Sequence, residues 1–101
     1  MELKTVERFI NEQVDMLNDN AHFTARQLSE YYEFHARLYE AETGKKPNVY
    51  RPYDDTVGRM LRRRRAVRND VHYWDRSRAM WWKADHDATI EERKRYGNSQ
   101  H

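Results

Sequence analysis

The sequence contains no cysteine, and only three glycines and two prolines among 101 residues. The first absence excludes disulfides, thiolate metal sites and thiol nucleophiles, and it fits a reducing compartment. The scarcity of glycine and proline leaves little room for flexible linkers or for a loop-rich all-β fold. No apolar run approaches the length of a membrane span or a signal-peptide core, so the expected address is cytoplasmic, with no membrane partner. Glycine-rich phosphate loops, a serine nucleophile elbow and the paired-histidine helix of metalloproteases are also missing. The expectation is a chain that is not an enzyme and carries no cofactor.

What is present is charge and aromatic surface. Charged residues make up 36% against 38% hydrophobic, and mean hydropathy is −1.27. So polar a chain borders on the disordered class, but three Trp, seven Tyr and three Phe supply the large buried surfaces that disordered chains lack. One small domain over residues 1–97 is expected, with 98–101 as a disordered tail. The net charge of +2 hides an asymmetry. Residues 1–43 carry four bases against nine acids, a net of −5, whereas Lys45 to Lys83 holds twelve bases against four acids, a net of +8. Such a split within one domain suggests a polyanion-facing side and a solvated acidic side.

Apolar residues at Leu3, Val6, Phe9, Ile10, Val14 and Leu17 form one stripe at helical spacing and predict a first helix over residues 2–18. Thr24 and Gln27 make a capping box for a second helix, with Phe23 and Leu28 placed as a hydrophobic staple. Its stripe runs through Tyr31, Tyr32, His35, Leu38 and Tyr39 to Gly44, a left-handed stop followed by Pro47. Residues 45–53 read as a loop. Asp54 or Asp55 then offers a cap for a third helix ending near Val67. Val57, Met60, Leu61 and the stem of Arg64 lie on its inner face, and Thr56, Arg59, Arg62, Arg63 and part of the Arg65 and Arg68 positions on its outer face. Gly58 reads as a mark of close approach by another helix or a ligand backbone. Val71, Tyr73, Trp74, Met80, Trp81 and Trp82 flank a polar turn over residues 75–78 and predict a two-stranded β-hairpin. Thr89 with Glu92 caps a short last helix from Ile90 to about Tyr96.

This order of elements resembles the winged helix-turn-helix DNA-binding family. The stretch from Phe23 to Leu28 is similar to the opening of its positioning helix. Asp55 to Leu61, followed by arginines and Val67, is similar to its recognition helix, and Asn69 to Ala84 to its wing. Two features depart from the pattern: the loop before the third helix is longer than a tight helix-turn-helix needs, and the hairpin is unusually aromatic. The resemblance implies an α+β fold, mostly α, with a three-helix core, a two-stranded wing and a short C-terminal helix.

It further implies double-stranded DNA as partner and a small transcriptional regulator or DNA-associated accessory protein, nucleoid-associated if bacterial or phage; small size and high charge suit a phage or mobile-element protein. The third helix would enter the major groove with Thr56, Arg59, Arg62 and Arg63, Arg59 being first choice for base readout. Lys45, Lys46 and Arg51 on the loop, with Arg76 and Arg78 at the wing tip, would meet phosphates or the minor groove. The competing reading is a protein-interaction module or inhibitor that meets an acidic partner with the same basic face, or an apolar one with the aromatic wing (Trp74, Trp81, Trp82). A homodimer through the first or last helix is a further expectation.

Other constellations carry less. Asp85, His86 and Asp87 have suitable ligand chemistry, but sequence neighbours seldom converge on one metal and an Asp there caps a helix naturally, so no metal is expected. His35, inside an apolar stripe, reads as a half-buried histidine rather than a general base. The hairpin aromatics could stack unpaired bases, but core and wing packing is the simpler role for Trp81 and Trp82.

Overall fold

A computed structural model of the chain describes residues 1–75 and 80–84, Trp74 by its backbone alone. The fold is α+β and mostly helical. Its elements are α1 (Val6–Asp15), β1 (His22–Thr24), α2 (Ala25–Thr43), α3 (Asp54–Arg68), β2 (Val71–Asp75) and β3 (Met80–Lys83). The last predicted helix, from Ile90 to about Tyr96, the turn with Arg76 and Arg78, and the 98–101 tail lie outside the described residues.

The helix starts follow local chemistry. Thr24, in extended conformation, accepts the Gln27 amide on its hydroxyl while the Gln27 side chain accepts the Thr24 amide, completing the predicted capping box. Phe23 and Leu28 are both buried in the hydrophobic core. At the other end Gly44 adopts φ 71°, and its amide bonds the Glu40 carbonyl, the left-handed stop that glycine adopts without Cβ strain.

Two helix boundaries differ from expectation. Residues 2–18 do not form one helix, because Thr5 caps α1 by accepting the Arg8 amide and the helix ends at Asp15. Leu3 and Leu17 stay half-buried on the flanking chain, so the apolar stripe outruns the helix. Neither Asp54 nor Asp55 caps α3. Tyr53 occupies that position without a side-chain cap, its carbonyl accepting the Thr56 and Val57 amides. The two aspartates fall in the first turn, where carboxylates favour the helix dipole.

The predicted two-stranded hairpin is instead part of a three-stranded antiparallel sheet in the order β1-β3-β2. The extra strand arises because the extended residues leading into the Thr24 cap pair with β3, Phe23 opposite Trp81 and His22 opposite Trp82. β2 pairs on the other side of β3, Tyr73 opposite Trp81 and His72 opposite Trp82, with a register shift between Tyr73 and Asp75. Adjacent strand residues point to opposite faces. The row Phe23, Trp81, Tyr73 therefore meets the helices, and the row His22, Trp82, His72 lies on the reverse. The Trp81 and Tyr73 rings are 4.0 Å apart and those of Trp82 and His72 5.1 Å.

Trp81 and Trp82 are 1% and 0% exposed. For these two residues this corrects the expectation of a surface for an apolar partner, since β3 is the central strand and both side chains are covered; the Trp74 side chain lies outside the described residues. The core that unites the layers contains Phe9, Ile10, Val14, Leu28, Tyr32, Ala36, Val57, Leu61 and Val71.

Candidate nucleic-acid interface

At about 100° per residue, Val57, Leu61 and Arg64 mark the inward side of α3, and all three are buried. The opposite side carries Thr56, Arg59, Arg62 and Arg63. The three arginines are exposed and Thr56 is half-buried, so the four predicted side chains do share one outward face. Arg59 stands at its middle, its guanidinium 3.3 Å from the Thr56 hydroxyl one turn back.

The four consecutive arginines Arg62 to Arg65 take four different roles. Arg62 donates to the Tyr73 hydroxyl at 3.1 Å, tying the outward face of α3 to the sheet. Arg63 reaches Glu7 of α1 at 3.2 Å. Arg65 is exposed and, like Arg59 and Arg62, makes no ion pair among the described residues. Arg64 turns inward. Its Nε lies 3.0 Å from Asp70 Oδ1, its Nη2 is 2.7 Å from Asp70 Oδ2 and 2.6 Å from Asp15 Oδ1, and its Nη1 donates to the Asn11 carbonyl at 3.0 Å. Arg68 adds a 3.0 Å pair with Asp15.

Burial works against the charge of Asp70 and of Asp15, but the hydrogen bonds and charge of Arg64 outweigh it and hold both carboxyls below the usual range. For Arg64, burial is likewise outweighed by Asp70 and Asp15, and its pKa rises. The network fixes α3 against α1 and against the start of β2, and so fixes where the outward arginines point. Sequence reasoning placed only the stem of Arg64 inside; partners so far off as Asp15 carry no local signal.

Arg51 is held at the entry to α3. Its Nε donates to the Ser29 hydroxyl at 3.1 Å, and its Nη2 lies 3.8 Å from both Glu30 and Asp54. Ser29 is buried and donates to the Pro52 carbonyl, anchoring the loop end to α2. Lys45 and Lys46 are exposed just beyond Gly44. Gly44 follows Ser29 by fifteen helical steps, about 22 Å along the axis, so these lysines are not gathered with Arg51. Arg76 and Arg78 lie outside the described residues.

Gly58 does not mark a close approach. A Cβ there meets only the Arg62 guanidinium, at an ordinary 3.6 Å. His35 is half-buried, stacked at 5.0 Å on Phe9, and its Nε2 accepts the Lys4 amide. Among the described residues no group of three His, Cys, Asp or Glu could hold a metal, and no helix is long and apolar enough to cross a membrane. No family model matches the chain, and neither a curated protein nor a solved structure matches it.

Proposed function

We propose that the chain is a winged-helix protein that binds double-stranded DNA, with the outward face of α3 in the major groove and the β2–β3 hairpin as its wing. The observation that carries this reading is the sorting of the arginine-rich helix. The inward Arg64 is neutralised by two carboxylates, while Arg59, Arg62 and Arg65 are exposed and make no ion pair among the described residues. Arg59 and Arg62, exposed on the outward face and in no ion pair among the described residues, are cations that a phosphate can engage without first breaking an internal pair.

In this reading Arg59 reads a base edge, where a bidentate arginine–guanine contact discriminates by about 1–3 kcal/mol. Arg62 and Arg63, tethered at Tyr73 and Glu7, reach phosphates on either side, and Arg51 does the same at the helix entry. Lys45 and Lys46 stay in the proposal as outlying phosphate contacts, and Arg76 and Arg78, outside the described residues, as phosphate or minor-groove contacts. A regulator or DNA-associated accessory role is the natural use of such a face. The rival apolar-partner reading is weakened by the burial of Trp81 and Trp82.

The test is retention of the full chain on duplex DNA. Replacing Arg59 and Arg63 together by Ala abolishes it while leaving the circular-dichroism spectrum unchanged. Undiminished retention by this variant overturns the proposal.

A further inference from the structure

The outer face of α2 is apolar where a solvated helix would be polar. Tyr31, Phe34 and Leu38 are 55%, 73% and 41% exposed, and their spacing of three and four residues lines them up as one seam of the kind that packs knobs into holes. Phe34 turns away from the core although its neighbours Tyr32 and Ala36 are buried in it. Two aromatics more than half exposed and one leucine amount to an apolar strip on the order of 300 Å².

The charges beside the strip identify what covers it. Along one flank run Arg26, Glu30, Glu33 and Arg37, in the order plus, minus, minus, plus. Within the chain they pair Arg26 with Glu30 at 3.2 Å and Arg37 with Glu33 at 3.1 Å, with Arg51 a further 3.8 Å neighbour of Glu30, yet all but Glu33 keep about half or more of their side-chain surface exposed. Lay a second α2 antiparallel across the first, with the crossing between positions 33 and 34, and Glu30 of each copy faces Arg37 of the other, twice over. A parallel arrangement would set Glu30 against Glu30 and Arg37 against Arg37, which repels.

We propose that the exposed face of α2 is the two-fold interface of a homodimer, with Phe34 at its centre, Tyr31 and Leu38 beside it, and reciprocal Glu30–Arg37 pairs at its rim. Two apolar strips together fall short of the roughly 1,200 Å² of a standard stable interface, and the stems of the flanking Arg and Glu residues supply the remainder. The association is accordingly weak, in the micromolar range. A two-fold contact of this kind is self-complementary and closed, so it ends at the dimer. It stands whether or not α3 binds DNA.

The test is sedimentation equilibrium of the full chain across protein concentration, with circular dichroism of each variant. The expected result is a monomer–dimer equilibrium in the wild type, weakened at least tenfold by Phe34→Glu with helicity intact. Glu30→Arg alone and Arg37→Glu alone each weaken it, and the double variant recovers it. The double variant leaves both intrahelical pairs repulsive, so only contacts between copies can account for recovery. A monomer up to about millimolar protein, a dimer indifferent to Phe34→Glu, or a double variant no better than the singles overturns the proposal.

Discussion

Arg64 and Asp70 form a two-pronged ion pair inside the protein, with side chains only 3% and 4% exposed and both carboxylate oxygens engaged by the guanidinium. The pair joins the middle of α3 to the residue before β2, and Asp15 and Asn11 extend it to α1. Removing one partner strands a buried charge, which typically costs about 3–5 kcal/mol. Asp70→Ala is therefore expected to lower the urea unfolding free energy by that order. Arg64→Met combined with Asp70→Leu should recover most of the loss, because a well-packed apolar pair of similar volume often matches a buried ion pair. A double variant as unstable as the single one contradicts this reading.

The same pair sets the acid limb of stability. Asp70 and Asp15 have folded-state pKa values lowered from the ordinary range, with Arg64 as the cause that overcomes burial. A carboxyl depressed in the folded state contributes stability that is fully present above its unfolded pKa, about 4, and is lost as pH falls through its folded value. Unfolding free energy measured from pH 6 downward in a His35→Gln background, which removes the histidine's own slope, should start to fall near pH 4. The fall should be shallower in Asp70→Asn.

His35 adds a milder dependence at higher pH. Burial, with help from Lys4 and against Glu12, lowers its pKa, and its Nε2 can accept the Lys4 amide only while that nitrogen is unprotonated. Above about pH 6.5 it is neutral in both states. As pH falls below that, the unfolded chain takes up the proton first, so stability declines until the folded pKa is passed. Comparing wild type with His35→Gln isolates this slope, which should vanish in the variant.

Gly58 should be improvable. It lies mid-helix with ordinary room for a Cβ, and glycine in a helix costs about 0.5–1 kcal/mol relative to alanine. Gly58→Ala is expected to raise stability by that amount with no change in fold, read as a higher urea midpoint at constant slope. A lower midpoint shows that the space is needed.

Much of this fold could be read from the sequence wherever one segment carries its own instructions. The capping box at Thr24 and Gln27 and the stop at Gly44 are local chemistry. So is the alternation that puts Val57 and Leu61 inside and Arg59 outside. What escaped depends on partners far along the chain. β1 is three residues long and becomes a strand only because Trp81 and Trp82 lie opposite it. The run Arg62 to Arg65 looks uniform in sequence, and only packing against Asp15 and Asp70 singles out Arg64. Apolar spacing overruns the first helix because it extends to Leu3, before the Thr5 cap, and to Leu17, after the helix closes at Asp15. Tyr31 and Leu38 correct the stripe of the second helix in the same way: apolar spacing includes them, but they are exposed while Tyr32 is buried, because the core covers only one edge of a stripe that wide.

The central claim is that the outward face of α3 holds duplex DNA, and its most direct measure is the salt dependence of affinity. Fluorescence anisotropy of the full chain on a random-sequence duplex, from about 50 to 300 mM salt, reads how many phosphates are neutralised, at a slope near −0.9 for each. Three or more contacts from this face give a logarithmic slope of about −3 or steeper, and replacing Arg59, Arg62 and Arg63 together by Ala flattens it. Absence of binding at 50 mM salt, or a slope that this triple variant leaves unchanged, contradicts the claim.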